Sequence, residues 1–323
     1  MSDRAAAKTQ DQDKAERIAK VIARAGVCSR REAEKLIGAG RVAVNGAVLA
    51  SPAFTVTPSD TVTIDGAPLA ARERTRLWLF NKPKGLVTSN RDPEGRATVF
   101  SALPADLPRV VTVGRLDINT EGLLLLTNDG GLARILELPS TGWLRRYRVR
   151  VHGRVKQVDL DRLAKGVAVD GMVYGAVEAN LDREQGANSW LTMGLREGKN
   201  REVKKIVEYL GLTVTRLIRI SYGPFQLGDL AAGTVDEVKS RVLRDQLGAK
   251  LSAAASVDFD TPARQPEAKA PAAKRPFGKA GASKRAAGKR PSAKDAADDK
   301  PTGNRSTGKP GAKRGHARRR RSV

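Results

Sequence analysis

The stretch GRLDINTEGLLLLTNDG, residues 114–130, decides how this chain is interpreted. Its four leucines at 123–126 predict a buried strand, and the apolar run at 110–113 predicts another strand just before it. Asp117 lies in the polar connection between them, where a rigid sheet commonly presents reactive side chains. The same residue types also form ordinary turns, so the residues alone leave Asp117 open between a catalytic role and a turn role.

Around this stretch, short apolar strands alternate with turns and one or two helices. The best helix candidate covers residues 201–210, because Val203, Ile206 and Val207 share one stripe, and Gly211 ends it. Strands are predicted at 77–80, 110–113, 123–126 and 147–151. Several strands with few helices predict an α+β domain with a largely antiparallel sheet.

The residues before this region predict a smaller module. A first helix is indicated by the helical spacing of Ile18, Val21, Ile22 and Ala25. A second helix begins at a capping box formed by Ser29 and Glu32. The pair Asn45-Gly46 then predicts a tight hairpin turn.

Composition limits the functions that this chain can have. Its 323 residues include 59 Lys and Arg against 35 Asp and Glu, a net charge of +24 that points to a polyanionic partner. Cys28 is the single cysteine, and His152 and His316 are the two histidines, which excludes an internal disulfide and Cys- or His-rich metal sites. We find neither a membrane-spanning stretch nor a secretory signal, and expect a cytoplasmic protein.

Both ends of the chain are expected to be disordered. Residues 252–323 carry 19 basic and 6 acidic residues and no Leu, Ile or Met, so they cannot bury enough apolar surface to fold. Residues 1–14 are predicted to be disordered too. We interpret the tail as a non-specific RNA-binding arm that acts by counterion release, with a solubility tail as the alternative. A DNA-condensing function would explain this tail but would leave the middle of the chain unexplained.

The segments SRREAEKLI and GRVAVNG make residues 15–72 resemble an S4 RNA-binding domain. In that family a helix pair that leads into a hairpin presents basic side chains to the backbone of structured RNA. The resemblance implies an RNA-binding role for Arg30, Arg31, Lys35 and Arg41. A generic helix pair with a charged outer face is the alternative interpretation.

Residues 73–251 resemble the catalytic domain of pseudouridine synthases of the RsuA/RluB family. Besides residues 114–130, the matching segments are NKPKG at 81–85, RYRV at 146–149, EGKNREVKK at 197–205 and RLIRI at 216–220. The segments EGKNREVKKIVEYLG, RLIRISYGPF and NRDPEGR are closer to members that act on large-subunit ribosomal RNA. An S4 domain in front of this domain is the usual arrangement in that family.

The resemblance implies catalytic roles for three residues. Asp117 matches the catalytic aspartate, which acts either as a nucleophile or as the base that forms a glycal, and the sequence does not choose between these routes. Lys204 matches its basic partner, with Arg115 as the second candidate. Related enzymes often have arginine there, and a lysine cannot form a two-bond fork to a carboxylate. Tyr147 matches the active-site tyrosine, although a half-buried strand residue would also explain it.

The expected substrate is a uridine in ribosomal RNA, flipped out of its stack. We expect the substrate-binding residues to be Arg115, Asn119, Thr120, Lys82, Lys84 and Arg201, and the two lysines to suit phosphate contact or an ordinary solvated turn. The reaction implies no cofactor and no metal. The expected partner is 23S ribosomal RNA or a large-subunit precursor. We expect the protein to be a monomer and to have no membrane partner. Small-subunit ribosomal RNA, or a non-catalytic role in ribosome assembly, are the alternatives.

Overall fold

The structure is a computed structural model that describes residues 15–262. The predictions for residues 1–14, and for the tail from residue 263 onward, lie outside the described residues. Within the described part, a small N-terminal module is followed by a larger domain built on one sheet. No described helix combines the length and the apolar character needed to cross a membrane.

The N-terminal module is the predicted helix pair with hairpins. Its elements are β1 (Glu16–Arg17), α1 (Ile18–Arg24), α2 (Arg30–Gly38), β2 (Val42–Val44), β3 (Ala47–Val48), β4 (Thr55–Val56), β5 (Val62–Ile64) and β6 (Ala67–Pro68). Ser29 and Glu32 form both hydrogen bonds of the predicted capping box at the start of α2. Asn45 and Gly46 both have positive φ, as the turn between β2 and β3 requires. Ile18, Ile22 and Ile37 are fully buried in the module's core.

The larger domain follows in chain order. It consists of β7 (Leu77–Lys82), β8 (Val111–Val113), β9 (Thr120–Thr127), α3 (Gly130–Glu137), β10 (Arg145–His152), α4 (Gln157–Asp161), β11 (Val167–Val169), β12 (Met172–Tyr174), β13 (Val177–Gln185), β14 (Asn188–Leu195), α5 (Glu202–Tyr209), β15 (Thr213–Tyr222), β16 (Phe225–Gln226), β17 (Val235–Val238) and α6 (Ser240–Ala255). Nine of these strands form one sheet, whose main path runs β13-β14-β10-β15-β9-β7-β17. The α+β class with a mostly antiparallel sheet is therefore confirmed.

One pair of strands in this sheet is parallel. β9 runs beside β15, so that Thr120, Glu121 and Gly122 pair with Leu217, Ile218 and Arg219. Gly122 has φ +97°, and a Cβ there would overlap the backbone of Arg219. A glycine is thus required at the point where the 114–130 segment meets β15.

The sheet has two faces, which we name by their residues. The front face carries Tyr147, Val149 and Leu124, and the helices α4 and α5 cover part of it. The back face carries Leu123 and Leu125, against which α3 and α6 pack. In the half formed by β13, β14, β10 and β15, the back face carries polar side chains, because β10 alternates buried valines with exposed or half-exposed arginines.

The C-terminal boundary of this domain differs from the prediction. We expected disorder from residue 252, but α6 continues to Ala255, and Val257 and Phe259 pack against the core behind it. The Thr75 amide also donates to the Asp258 carbonyl at 2.6 Å. Gly248 has a positive φ and interrupts α6. The part of α6 after this break shows no clear helical periodicity in the sequence. The expectation of one or two helices is likewise too low, since α3, α4 and α6 accompany α5.

Candidate active site

Asp117 lies in the loop between β8 and β9, and the surrounding backbone holds this loop in place. The Thr120 amide donates to the Asp117 carbonyl at 3.0 Å, which closes a tight turn. The Thr88 hydroxyl donates to the Leu116 carbonyl at 2.7 Å, and the Gly85 amide donates to the Ile118 carbonyl at 2.8 Å. The Asp117 side chain remains 38 % exposed, so it is available to a substrate.

Lys82 holds the same loop from inside the domain. Its side chain is fully buried, and its Nζ lies within 3.0–3.4 Å of the backbone carbonyls of Pro83, Asp117, Ile118 and Thr120. Burial lowers the pKa of Lys82 from its usual 10.5 to about 8. The expected contact of Lys82 with a substrate phosphate does not fit this geometry, because the ammonium faces the protein interior.

Lys204 is the residue that pairs with Asp117. Its Nζ lies 2.7 Å from the Asp117 Oδ2, and its side chain is 16 % exposed. The pair has a single hydrogen bond, as expected for a lysine. Arg115 was the second candidate, but no ion pair within 4.0 Å joins it to Asp117 among the described residues.

The position of Lys204 follows from the way α5 begins. Val203, Ile206 and Val207 are buried against the sheet, which directs the Lys204 side chain toward the loop. Arg201 adopts a left-handed backbone conformation with φ 52° just before the helix. The buried Glu202 carboxylate accepts a hydrogen bond from the Lys199 amide at 2.9 Å, and burial raises the pKa of this carboxyl.

Tyr147 lies on β10 and faces the same cavity as Asp117. Its half-buried ring packs against both core clusters of the front face. The cavity has a volume of about 90 Å³ and an apolar floor that includes Leu195, Val203 and Leu217. The structure therefore brings Asp117, Lys204 and Tyr147 together at one site, as the resemblance implies.

A second, larger depression of about 500 Å³ is also lined by Asp117. Asn119 and Arg115 are exposed beside it, and Arg201 lines both depressions. Thr120 lines the smaller cavity but is only 2 % exposed. Lys84 is exposed in the turn after β7 and lines neither depression.

Three residues of the site were not singled out from the sequence. Arg96 lines the larger depression and forms ion pairs with Asp92 and Glu94. It belongs to the NRDPEGR segment, which matches the family but does not by itself mark Arg96 as a site residue. Thr88 fixes the Asp117 loop, and Leu217 forms part of the cavity floor. The alternation in β15 does not mark Leu217, because it places the apolar Ile218 and Ile220 on the opposite face of the strand. No local signal marks Thr88.

The basic residues expected in the N-terminal module lie on its surface. Arg30, Arg31 and Lys35 are exposed on α2. Arg41 is also exposed, but its guanidinium already forms two hydrogen bonds to the Asp65 carboxylate. Three of the four predicted cations therefore present unpaired heads within the described residues.

No group of three or more His, Cys, Asp or Glu side chains among residues 15–262 is arranged to hold a metal ion. The polar groups that line the cavity beside Asp117 include the cations Arg115, Lys199, Arg201 and Lys204, together with the carboxylates Glu197 and Glu202. The cations suit an anionic ligand.

Comparisons with known proteins agree with this arrangement. Residues 76–209 match the family model described as RNA pseudouridylate synthase, and residues 16–62 match the S4 domain model. The chain is 45 % identical over 231 residues to an uncharacterised RNA pseudouridine synthase of Rickettsia prowazekii, covering 72 % of this chain and 97 % of the relative.

It is also similar to proteins with a more specific name. The ribosomal large subunit pseudouridine synthase B of Pseudomonas aeruginosa is 42 % identical over 245 residues, covering 73 % of this chain and 63 % of that protein. The protein of the same name from Haemophilus influenzae is 40 % identical over 271 residues, covering 81 % and 76 %. A crystal structure of a pseudouridylate synthase has the same fold, with a TM-score of 0.52 and 24 % identity, covering 72 % of this chain and 99 % of that one.

An S4 module joined to a sheet domain with a lysine-paired aspartate defines an RNA-modifying enzyme with a separate RNA-binding domain. The identity of 45 % to an RNA pseudouridine synthase makes the family assignment more specific than this general class. The chain belongs to the family of RNA pseudouridine synthases that carry an S4 domain.

Proposed function

We propose that this enzyme converts a uridine of 23S ribosomal RNA to pseudouridine, with Asp117 as the catalytic carboxylate. The observation that carries the proposal is the ion pair of 2.7 Å between Lys204 and Asp117, at a cavity that Tyr147 also lines. The choice of large-subunit RNA is supported by the names of the relatives from Pseudomonas aeruginosa and Haemophilus influenzae.

The reaction is an isomerisation within one nucleotide. The bond from N1 of the base to C1′ of the ribose breaks, a bond from C5 to C1′ forms, and the C5 proton is lost while N1 gains one. Asp117 either adds to the nucleotide as a nucleophile or removes a ribose proton to form a glycal. Both routes need an ionised carboxylate, and the Lys204 Nζ lies 2.7 Å from the Asp117 Oδ2, where its charge balances that of the carboxylate.

We assign Tyr147 to the target base. Its ring faces the small cavity, so a base inserted there would lie against it. We assign its phenol oxygen to accept or relay the C5 proton. The aspartate and the tyrosine thus have separate tasks, one in making and breaking the glycosidic bond and the other in holding the base and moving its proton.

The remaining contacts hold the flipped nucleotide and its flanking backbone. Arg115, Asn119 and Arg201 surround Asp117, and two of them are cations suited to phosphate. Thr120 contributes from the cavity wall. Lys84 and the exposed cations of α2, Arg30, Arg31 and Lys35, are assigned to RNA backbone farther away. We expect the enzyme to act as a cytoplasmic monomer.

The test is a map of pseudouridines in ribosomal RNA from cells that lack this protein. We expect one large-subunit position to lose its pseudouridine and to regain it with the wild-type protein but not with Asp117→Asn. Asp106→Asn, which removes an exposed carboxylate elsewhere, is the matched control and should restore the modification. Loss at a small-subunit position instead would refute the large-subunit assignment, and restoration by Asp117→Asn would refute the catalytic aspartate.

A further inference from the structure

The open half of the back face carries a row of cationic and aromatic side chains. Trp190 on β14 lies directly opposite Arg150 of β10 and directly opposite Arg183 of β13. Arg150 in turn lies opposite Arg216 of β15. Residues opposite each other in antiparallel strands point to the same face. Arg183, Trp190, Arg150 and Arg216 therefore form one row across four adjacent strands, which we call the Trp190 row.

A fifth side chain joins this row from the neighbouring position on β10. The guanidinium carbon of Arg148 lies 4.9 Å from the centroid of the Trp190 ring. The guanidinium therefore lies within the distance of a cation–π contact with the ring. Arg148, Arg183 and Arg216 are exposed, and no described helix covers them.

The charges of the Trp190 row are only partly balanced. Within residues 15–262, no carboxylate comes within 4.0 Å of the guanidinium of Arg148, Arg150 or Arg183, whereas Arg216 pairs with Glu121 at 2.6 Å. Two other carboxylates on β13 have their own partners. Asp182 accepts a hydrogen bond from Thr192 at 2.8 Å, and Glu178 lies near Arg146 and Arg196. Three arginines next to a tryptophan thus remain without an anion.

The shape of the row limits what can bind there. Four strands at the usual spacing give a flat track of about 14 Å. An open sheet face with an aromatic ring and arginines offers stacking to bases and charge to phosphates, the two contacts that single-stranded nucleic acid needs. An acidic protein segment would use the arginines but would leave the Trp190 ring without a matching group.

We infer that the Trp190 row binds single-stranded RNA, on the side of the sheet opposite to the Asp117 cavity. A base stacks on Trp190 and Arg148, and the phosphates on either side contact Arg150 and Arg183. The inference goes beyond the proposed function, since it needs neither Asp117 nor a particular uridine. A strand that flanks the modified site would reach this face by passing around the edge of the sheet.

The experiment measures tryptophan fluorescence of the full-length protein during titration with a short oligouridylate. Stacking of a base on Trp190 is expected to quench part of the emission, and Trp190→Phe should remove that part while leaving the signal of Trp78 and Trp143. Arg150→Gln combined with Arg183→Gln should raise the midpoint of quenching at least fivefold. It should also lower the slope of log affinity against log salt by about 0.7 for each lost phosphate contact.

The matched control removes two exposed arginines on the other side of the sheet. Arg154 and Arg162 are exposed beside Val155 and Leu163, whose side chains belong to the front-face core. Arg154→Gln combined with Arg162→Gln should leave the midpoint unchanged. An equal shift in this control would mean general charge attraction and would overturn the inference, as would the absence of Trp190 quenching.

Two further arms keep the outcomes distinct. Oligouridylate should quench the fluorescence of Asp117→Asn as much as that of the wild type. The quenching experiment therefore tests RNA binding at the Trp190 row even if the test of the proposed function fails. Polyglutamate should not quench Trp190. If polyglutamate quenches and oligouridylate does not, the partner is an acidic protein segment and the inference is wrong.

Discussion

At the scale of single residues, Lys204 is the one cation that forms an ion pair with Asp117 among residues 15–262. We expect Lys204→Met to lower kcat by about 10- to 100-fold with a smaller change in KM, because a charge-assisted hydrogen bond is worth about 1.5–3 kcal/mol. Lys204→Arg should recover most of the loss, since the cation is retained. The measurement is the steady-state rate of pseudouridine formation at several concentrations of an RNA substrate.

Lys205 provides the control for that experiment. It is the next residue on α5 and forms no ion pair with Asp117. Lys205→Met should therefore leave kcat within twofold of the wild type. A similar loss in both variants would show that the total charge of the helix matters, and not the contact with Asp117.

Lys82 makes stability depend on pH in an unusual direction. Its pKa of about 8 in the folded protein is below the usual 10.5, so between these values the unfolded chain binds the proton and the folded chain does not. Raising the pH therefore favours folding, by at most about 1.4 kcal/mol per pH unit. We expect the free energy of unfolding of the wild type, relative to Lys82→Met, to rise between pH 8 and 10.

Chemical denaturation at several pH values measures this effect. Lys84→Met is the control, because Lys84 is exposed two residues away. The difference between the wild type and that variant should stay flat over the same range. A flat difference for Lys82→Met as well would mean that the four carbonyls hold the ammonium charged throughout.

At the scale of elements, the sequence predicts those helices whose signal lies within the helix itself. The stripe of Val203, Ile206 and Val207 gave α5, and the Ser29 capping box gave α2, since each pattern lies within one helix. The helix α3 was missed because Gly130 and Gly131 resemble a turn, and only the Asp129 side chain caps them. The burial of Lys82 and the Trp190 row depend on distant segments, so no stretch of sequence displays them.

The structure shows that the end of α6 belongs to the folded domain. Ala255, Val257 and Phe259 pack against the core behind the sheet, although we had expected disorder from residue 252. We expect a chain ending at residue 251 to lose about 2–4 kcal/mol of stability relative to one ending at 262, because the contacts of these three apolar side chains with the core are lost. Its Tm should fall by roughly 5–10 °C.

Thermal unfolding of the two truncated chains makes this comparison. Both lack residues 263–323, which hold 19 basic and 4 acidic residues, so the difference between them does not involve the predicted RNA-binding arm. Equal Tm values would mean that the segment 252–262 contributes nothing to the folded domain. The RNA-binding arm itself stays a prediction, since it lies outside the described residues.

At the scale of the whole molecule, one buried carboxylate joins the S4 domain to the catalytic domain. Asp129 accepts hydrogen bonds from Arg24 of α1 at 3.4 Å, from Arg72 at 2.5 Å and from Thr75 at 2.9 Å. Arg24 also donates to the Ala255 carbonyl at 3.3 Å. The orientation of the RNA-binding helices relative to Asp117 therefore depends on a few charged contacts.

We expect Arg24→Met to loosen this junction. Amide hydrogen exchange should become faster in residues 16–24 and at Ala255, while the strands β9, β10 and β15 keep their protection. Lys20→Met is the matched control, because Lys20 bonds the same Glu16 at 2.5 Å but does not contact the catalytic domain. Equal exchange in the two variants would show that Arg24 matters only through Glu16.

The pairing of β9 with β15 has a consequence for the timing of activity. A nascent chain that has been synthesised only to residue 200 contains Asp117 but lacks both Lys204 and the strand against which the Gly122 backbone packs. Such long-range pairing forms late in folding. The S4 domain, by contrast, is complete once residue 72 has been synthesised, since Leu69 is the last residue that packs on its core. A growing chain would thus hold RNA before it could modify it, and its catalytic activity would begin only after β15 has been synthesised.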